Sequence, residues 1–146
     1  MIKIIYPEKK PSIKGEGGKD LVFCIIRKKW VLLTPEEWVR QNFLLYLTES
    51  LSYPASLIAV EKQLLLGDVK KRFDIVVYES VSTSPYMLVE CKEMNVPLSG
   101  NVLQQVLGYN SAVQASWILI TNGSYCVAFK KETDHFEMAE QLPAFK

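Results

Sequence analysis

The chain has 146 residues, 49% of them hydrophobic and 23% charged, the profile of one ordinary globular domain. Seventeen Lys and Arg against sixteen Asp and Glu leave a formal net charge of +1, which excludes a histone-like polycation and an acidic disordered tail. No apolar run approaches the ~18 residues that cross a bilayer, and MIKIIYPEKK meets Pro7 and Glu8 too early for a signal-peptide core.

Cys24, Cys91 and Cys126 are widely spaced and form no CxxC pair, so neither a disulfide framework nor a zinc ribbon is indicated. A reducing, cytoplasmic setting is the simplest expectation. His135 is the single histidine, which rules out HExxH chemistry within one chain. The charge is uneven. Residues 1–40 hold nine Lys/Arg and five Asp/Glu, and the remainder holds eight and eleven, so +4 is set against −3.

Residues 1–20, with Lys9, Lys10, Lys14 and Lys19 among three glycines, read as a basic N-terminal arm with a short strand at Ile2–Tyr6. GEGGKD is too short for a phosphate loop, and Asp20 stands where the magnesium-binding hydroxyl belongs. Leu21–Ile26 and Trp30–Leu33 read as two strands about a basic turn, Arg27-Lys28-Lys29. A helix then starts at Thr34-Pro35-Glu36-Glu37. Threonine caps a free N–H, proline loses nothing at the first position, and the acids face the positive end of the dipole. Val39, Phe43, Tyr46, Leu47 and Leu51 continue at helical spacing to about Ser50, and Tyr53-Pro54 ends it.

Leu57–Leu66, Arg72–Tyr78 and Tyr86–Lys92 read as three strands, followed by a helix over Val102–Val113 and by strands at Trp117–Thr121 and Tyr125–Phe129. Asn122-Gly123 supplies the last turn. The fold expected is α/β: a mixed central sheet of about four or five strands with a helix packed on each side. The folded unit is expected over 21–132, with 133–146 as a C-terminal tail.

The chemistry sits in strands that ought to be apolar. Asp74 interrupts RFDIVVY. There Phe73, Ile75 and Val77 are expected on one face, with Asp74, Val76 and Tyr78 on the other. In MLVECKE, Glu90 and Lys92 are two apart and share a strand face, while Cys91 points away. Buried charges need compensation, and two carboxylates on neighbouring strands suit a hard divalent cation, Mg2+ or Mn2+. The backbone carbonyl of Cys91 could add a ligand. Lys92 could orient a water or stabilise charge on a phosphate.

Asp74…Glu90-Cys91-Lys92 resembles the PD-(D/E)xK signature of restriction-endonuclease-like nucleases, with Phe73 in the proline position. Together with IRKKWVLLTPEEWVRQ, QVLGYN and LITNG, it is similar to the N-terminal nuclease region of type I restriction enzyme R subunits, in a small stand-alone version. That resemblance implies a restriction-endonuclease-like core and metal-dependent hydrolysis of DNA. It implies a further metal ligand on the first helix, Glu37 in preference to Glu36. It also matches Gln105 and Tyr109 to the family's Gln-x-x-x-Tyr, which at i and i+4 share a helix face. Helicase or specificity proteins on separate chains are the expected partners beside DNA. The oligomeric state is left open, a homodimer included.

Each residue also has a plainer role. Asp74 could pair with Arg72 or Lys92, Glu90 with Lys92 across a solvated face, and Glu37 could merely complete a T-x-x-E capping box. Gln105 and Tyr109 could edge an amphipathic helix whose stripe is Val102, Val106 and Val113. The alternative function is a nuclease-fold module that binds DNA or protein without cutting. A domain this mildly basic should hold naked DNA weakly and with strong salt sensitivity.

Overall fold

The computed structural model describes residues 1–101, 104–105, 108 and 113–146. Ten strands are present among them: β1 Ile2–Lys3, β2 Ile13–Glu16, β3 Lys19–Cys24, β4 Lys29–Leu32, β5 Ile58–Leu66, β6 Val69–Tyr78, β7 Pro85–Cys91, β8 Trp117–Thr121, β9 Tyr125–Lys131 and β10 Phe136–Ala139. The α-helix α1 spans Pro35–Leu45 and runs on through a π-turn at Tyr46–Ser50. Its start follows the sequence. Thr34 is extended and its hydroxyl accepts the Glu37 N–H at 3.0 Å.

The main sheet runs in the order β1-β9-β8-β7-β6-β5, with β10 also on β9. β7 and β8 pair parallel and the other neighbours antiparallel. A parallel pair needs a crossover, and residues 92–116 provide it. The sheet is therefore α/β and mixed, as expected, but wider. The five strands β5–β9 match the reading, and β1 and β10 extend the β9 edge to make seven. The arm and tail supply these and more, since Ile13–Glu16 forms a second, three-stranded sheet with β3 and β4.

Two apolar layers cover the main sheet. On one face Val39, Phe43, Leu44 and Leu47 of the helical segment pack on Ile75, Val77, Met87, Val89 and Leu119. On the other, Leu98, Val113, Ala115 and Phe136 meet Phe73, Val76, Leu88, Ile118 and Ile120. Helices on both sides are not borne out. Among the described residues α1 is the single α-helix with defined bounds. Of the second expected helix, Gln104 and Gln105 are helical, as is Asn101 just before it, and 102–103, 106–107 and 109–112 lie outside the described residues.

The strict alternation expected along β6 fails at its centre. Ile75 and Val77 face α1, but Phe73 joins Val76 in the opposite layer, and Asp74 reaches a side chain of α1. Pairs Val60–Ile75 and Lys62–Phe73 bracket Glu61 opposite Asp74, and Glu61 has φ 53°. Glu61 thus sits opposite Asp74 in a left-handed conformation that is rare inside a strand.

One glycine fixes α1 to the sheet. Gly123, in the turn between β8 and β9, has φ +94°, and a Cβ there would lie 3.2 Å from Val39 Cγ2. The turn can approach the helix so closely because it carries no side chain.

Candidate metal centre

Glu37 is 8% exposed and fully engaged. Its carboxylate accepts from Arg40 Nη1 at 2.6 Å, from Gln41 Nε2 at 3.0 Å and from Arg27 Nη2 at 3.1 Å. Burial pushes the Glu37 carboxyl up, but Gln41, Arg40 and Arg27 outweigh it and hold it below its ordinary value. Its carboxylate thus organises arginines instead of closing a capping box. Arg27 is anchored in turn by Cys24, whose Sγ lies 3.3 Å from Arg27 Nε.

Arg40 continues the chain of charges. Nη2 donates to Asp74 Oδ1 at 2.7 Å and lies 3.6 Å from Glu61 and 3.7 Å from Glu36. Four carboxylates thus surround one guanidinium that is 5% exposed. Arg40 remains charged, because its hydrogen bond to Asp74 and the fields of Glu37 and Asp74 exceed the cost of its burial. Its Nε is buried without a partner among the described residues.

Asp74 stands where β6 and β7 part. The last pair on this side is Ile75–Val89, and the next free amide, Cys91 N–H, donates to Asp74 Oδ2 at 2.8 Å. Continuing that register sets Asp74 against Glu90. Glu90 is 6% exposed. Its Oε2 lies 3.5 Å from Lys71 Nζ, whereas its Oε1 is buried without a partner among the described residues. Burial, with Asp74 adding to it, pushes the Glu90 carboxyl up to about 6 against the pull of Lys71 and Lys92.

Lys92 follows β7, half-buried, with its N–H bonded to Thr121 O at 2.8 Å. Its charge acts on both Glu90 and Glu36. Glu36, rather than Glu37, is the helix acid nearest this centre. Its carboxyl is raised by desolvation and then by Asp74, with Arg40 and Lys92 opposing. Cys91 lies in the α1-side core, and burial drives its thiol pKa far up, so it has no nucleophilic character.

Asp74 acts electrostatically on both Glu90 and Glu36, as does Lys92, while Glu37 is drawn away into the arginine cluster. Gln105 is exposed on its helical stretch, and Tyr109 lies outside the described residues. Sequence reading missed Arg40, Gln41, Glu61 and Lys71. Arg40 carried a signal in its i+3 and i+4 spacing from Glu37 and Glu36. Glu61 carried none, because its place depends on β5–β6 register. A separate cavity of about 520 Å³ between Tyr53, Tyr78, Tyr86, Trp117 and Phe145 opens at the other end of β7.

The donor set fits a hard cation: two carboxylates, one of them with an orphaned buried oxygen, are what Mg2+ or Mn2+ binds. Among the described residues, however, no three His, Cys, Asp or Glu side chains are gathered as a metal-binding group. Arg40 occupies Asp74 instead.

Residues 35–143 match the family described as the N terminus of the type I restriction enzyme R protein. The chain belongs to that family. Neither the curated proteins nor the solved structures hold a significant match to it. The matched span starts at Pro35 and takes in α1, β5–β9 and β10, so the strands of the R-protein N-terminal domain that carry Asp74 and Glu90, and Lys92 just after β7, lie within it. No helix among the described residues is long and apolar enough to cross a membrane.

Proposed function

We propose that this R-protein N-terminal domain is a metal-dependent deoxyribonuclease of the PD-(D/E)xK kind, serving restriction or another DNA-processing task. The orphaned Oε1 of Glu90 carries this reading. A buried carboxylate oxygen without a donor costs stability unless something cationic completes it. Asp74 across the strand pair and Lys92 two residues on supply the rest of the chemistry.

Asp74, Glu90 and Glu36 would hold Mg2+ or Mn2+, with the Cys91 carbonyl as a backbone donor. Glu36 takes the place first expected for Glu37, because Glu37 is committed to Arg27, Arg40 and Gln41. When bound, the cation would acidify a water and draw charge from the phosphate. Lys92 would orient that water or a non-bridging phosphate oxygen through its ammonium. Gln105 and Tyr109 would position the scissile backbone. DNA would be the substrate, and helicase and specificity proteins the partners. Three free buried cysteines agree with a reducing compartment.

Cleavage of plasmid and of linear single strands, with and without Mg2+, tests this beside Lys92→Ala. Metal-dependent scission by the wild type and none by the variant is expected. Equal scission by both would exclude the assigned role of Lys92. A second reading, a nuclease-fold module that binds without cutting, draws on the Arg40–Asp74 pair. It predicts no heat of Mn2+ binding and an unchanged Tm.

A further inference from the structure

Arg40 stands where a metal-bound Asp74 would need to be free. Its Nη2 is 2.7 Å from Asp74 Oδ1, the carboxylate that the metal-dependent reading, on which this inference rests, assigns to the cation. A guanidinium and a divalent cation cannot both hold that oxygen without strong repulsion. The side chain also has somewhere to go. Glu61 lies 3.6 Å from the same Nη2, and Glu37 already binds Nη1 at 2.6 Å. Its inner nitrogen, Nε, is held by nothing among the described residues.

Glu61 is built into position at a cost. Its φ of 53° is rare for a non-glycine residue in a strand. Arg27 Nη1 donates to its carboxylate at 3.2 Å, which keeps it beside Arg40 although its side chain is 39% exposed.

We propose that Arg40 is a built-in competitor for the metal, resting on Asp74 when no cation is present and withdrawing to Glu61 and Glu37 when one binds. The guanidinium keeps Asp74 neutralised and bonded without metal. It also sets the threshold of cation concentration at which the centre loads. Arg40 is accordingly a positioning residue, acting through Asp74.

Titration of the metal-free protein with Mn2+ by calorimetry, with no DNA present, tests the proposal. Arg40→Gln removes the competitor and should bind Mn2+ roughly tenfold more tightly than wild type, within the usual range of such couplings. Arg27→Gln removes an equal charge that does not touch Asp74 and loosens Glu61, and should not tighten Mn2+ binding. Glu61→Gln removes the charged seat to which Arg40 withdraws, and should weaken Mn2+ binding by several-fold. Unchanged or weaker binding in a folded Arg40→Gln protein overturns the proposal, as does equal tightening in Arg27→Gln. If Arg40→Gln fails to fold, Glu61→Gln decides: unchanged affinity there overturns the competitor role while wild-type binding leaves the metal reading standing. No Mn2+ binding by wild type or by either arginine variant overturns both.

Discussion

The backbone N–H of Cys91 donates to Asp74 Oδ2 at 2.8 Å, at the point where β6 and β7 stop pairing. Asp74 therefore closes the end of the ladder as well as bearing charge for the site. Removing it should separate these roles. Asp74→Ala leaves the Cys91 amide and the Arg40 guanidinium unanswered, and should cost about 3–5 kcal/mol, as when one partner leaves a buried ion pair. Asp74→Asn retains an acceptor oxygen and should cost only about 1–3 kcal/mol. Urea unfolding measures the difference, and both variants should lose metal-dependent cleavage. Equal stability of the two would show that the amide contact is of no consequence.

Glu90 contributes to the pH dependence of the protein's stability. Its carboxyl is raised to about 6, above the ordinary value of 4.5, by burial and by Asp74. A raised carboxyl binds its proton more tightly in the folded state. Its contribution to stability is therefore full below about pH 4.5 and is lost as pH climbs through 6. The loss amounts to about 2 kcal/mol. Glu90→Gln carries no such proton and should flatten that stretch of a Tm-against-pH curve. Cation binding has the opposite sign, strengthening from pH 5 to 7 as Glu90 ionises. A variant with the wild-type slope would remove Glu90 as its source.

Neighbouring glutamates on α1 should behave in opposite ways. Glu37→Gln strips charge from a carboxylate that answers two arginines, and should destabilise the fold by about 3 kcal/mol. Glu36 has a side chain 53% exposed and an ion pair with Arg40 at 3.7 Å. Glu36→Gln should leave urea midpoints nearly unchanged while weakening Mn2+ binding several-fold. A Glu37→Gln protein as stable as wild type, with Mn2+ binding lost, would restore Glu37 as the ligand.

This contrast marks how far the sequence was legible. Local chemistry was readable: Thr34 and Pro35 announce α1, and Asn122-Gly123 announces the β8–β9 turn. The period-two pattern places Glu90 and Lys92 at one end of β7. What escaped depends on contacts distant in sequence. Whether Glu36 or Glu37 faces Asp74 is a matter of about 100° of helix rotation, set by how Val39 and Phe43 seat against the sheet. The displaced alternation about Asp74 lies opposite a left-handed Glu61 on another strand, which no local pattern announces. The β10 strand has only four residues, FEMA, with one buried side chain, too little pattern to separate it from a tail.

The seating of α1 can be tested at Gly123. Alanine there meets two penalties: a φ of +94° that side chains rarely adopt, and a Cβ 3.2 Å from Val39 Cγ2. Gly123→Ala should destabilise the protein by about 1–3 kcal/mol. Val39→Ala removes the clashing methyls but leaves a cavity of its own, costing about 1–3 kcal/mol. The double variant should then be less destabilised than the sum, by about 1 kcal/mol, since the two residues touch. Because Glu36 and Arg40 ride on the same helix, the single Gly123→Ala change should also shift Mn2+ affinity, and Val39→Ala should restore part of it. Strictly additive stabilities, with Mn2+ affinity untouched, would mean that the turn does not hold the helix in register with Asp74.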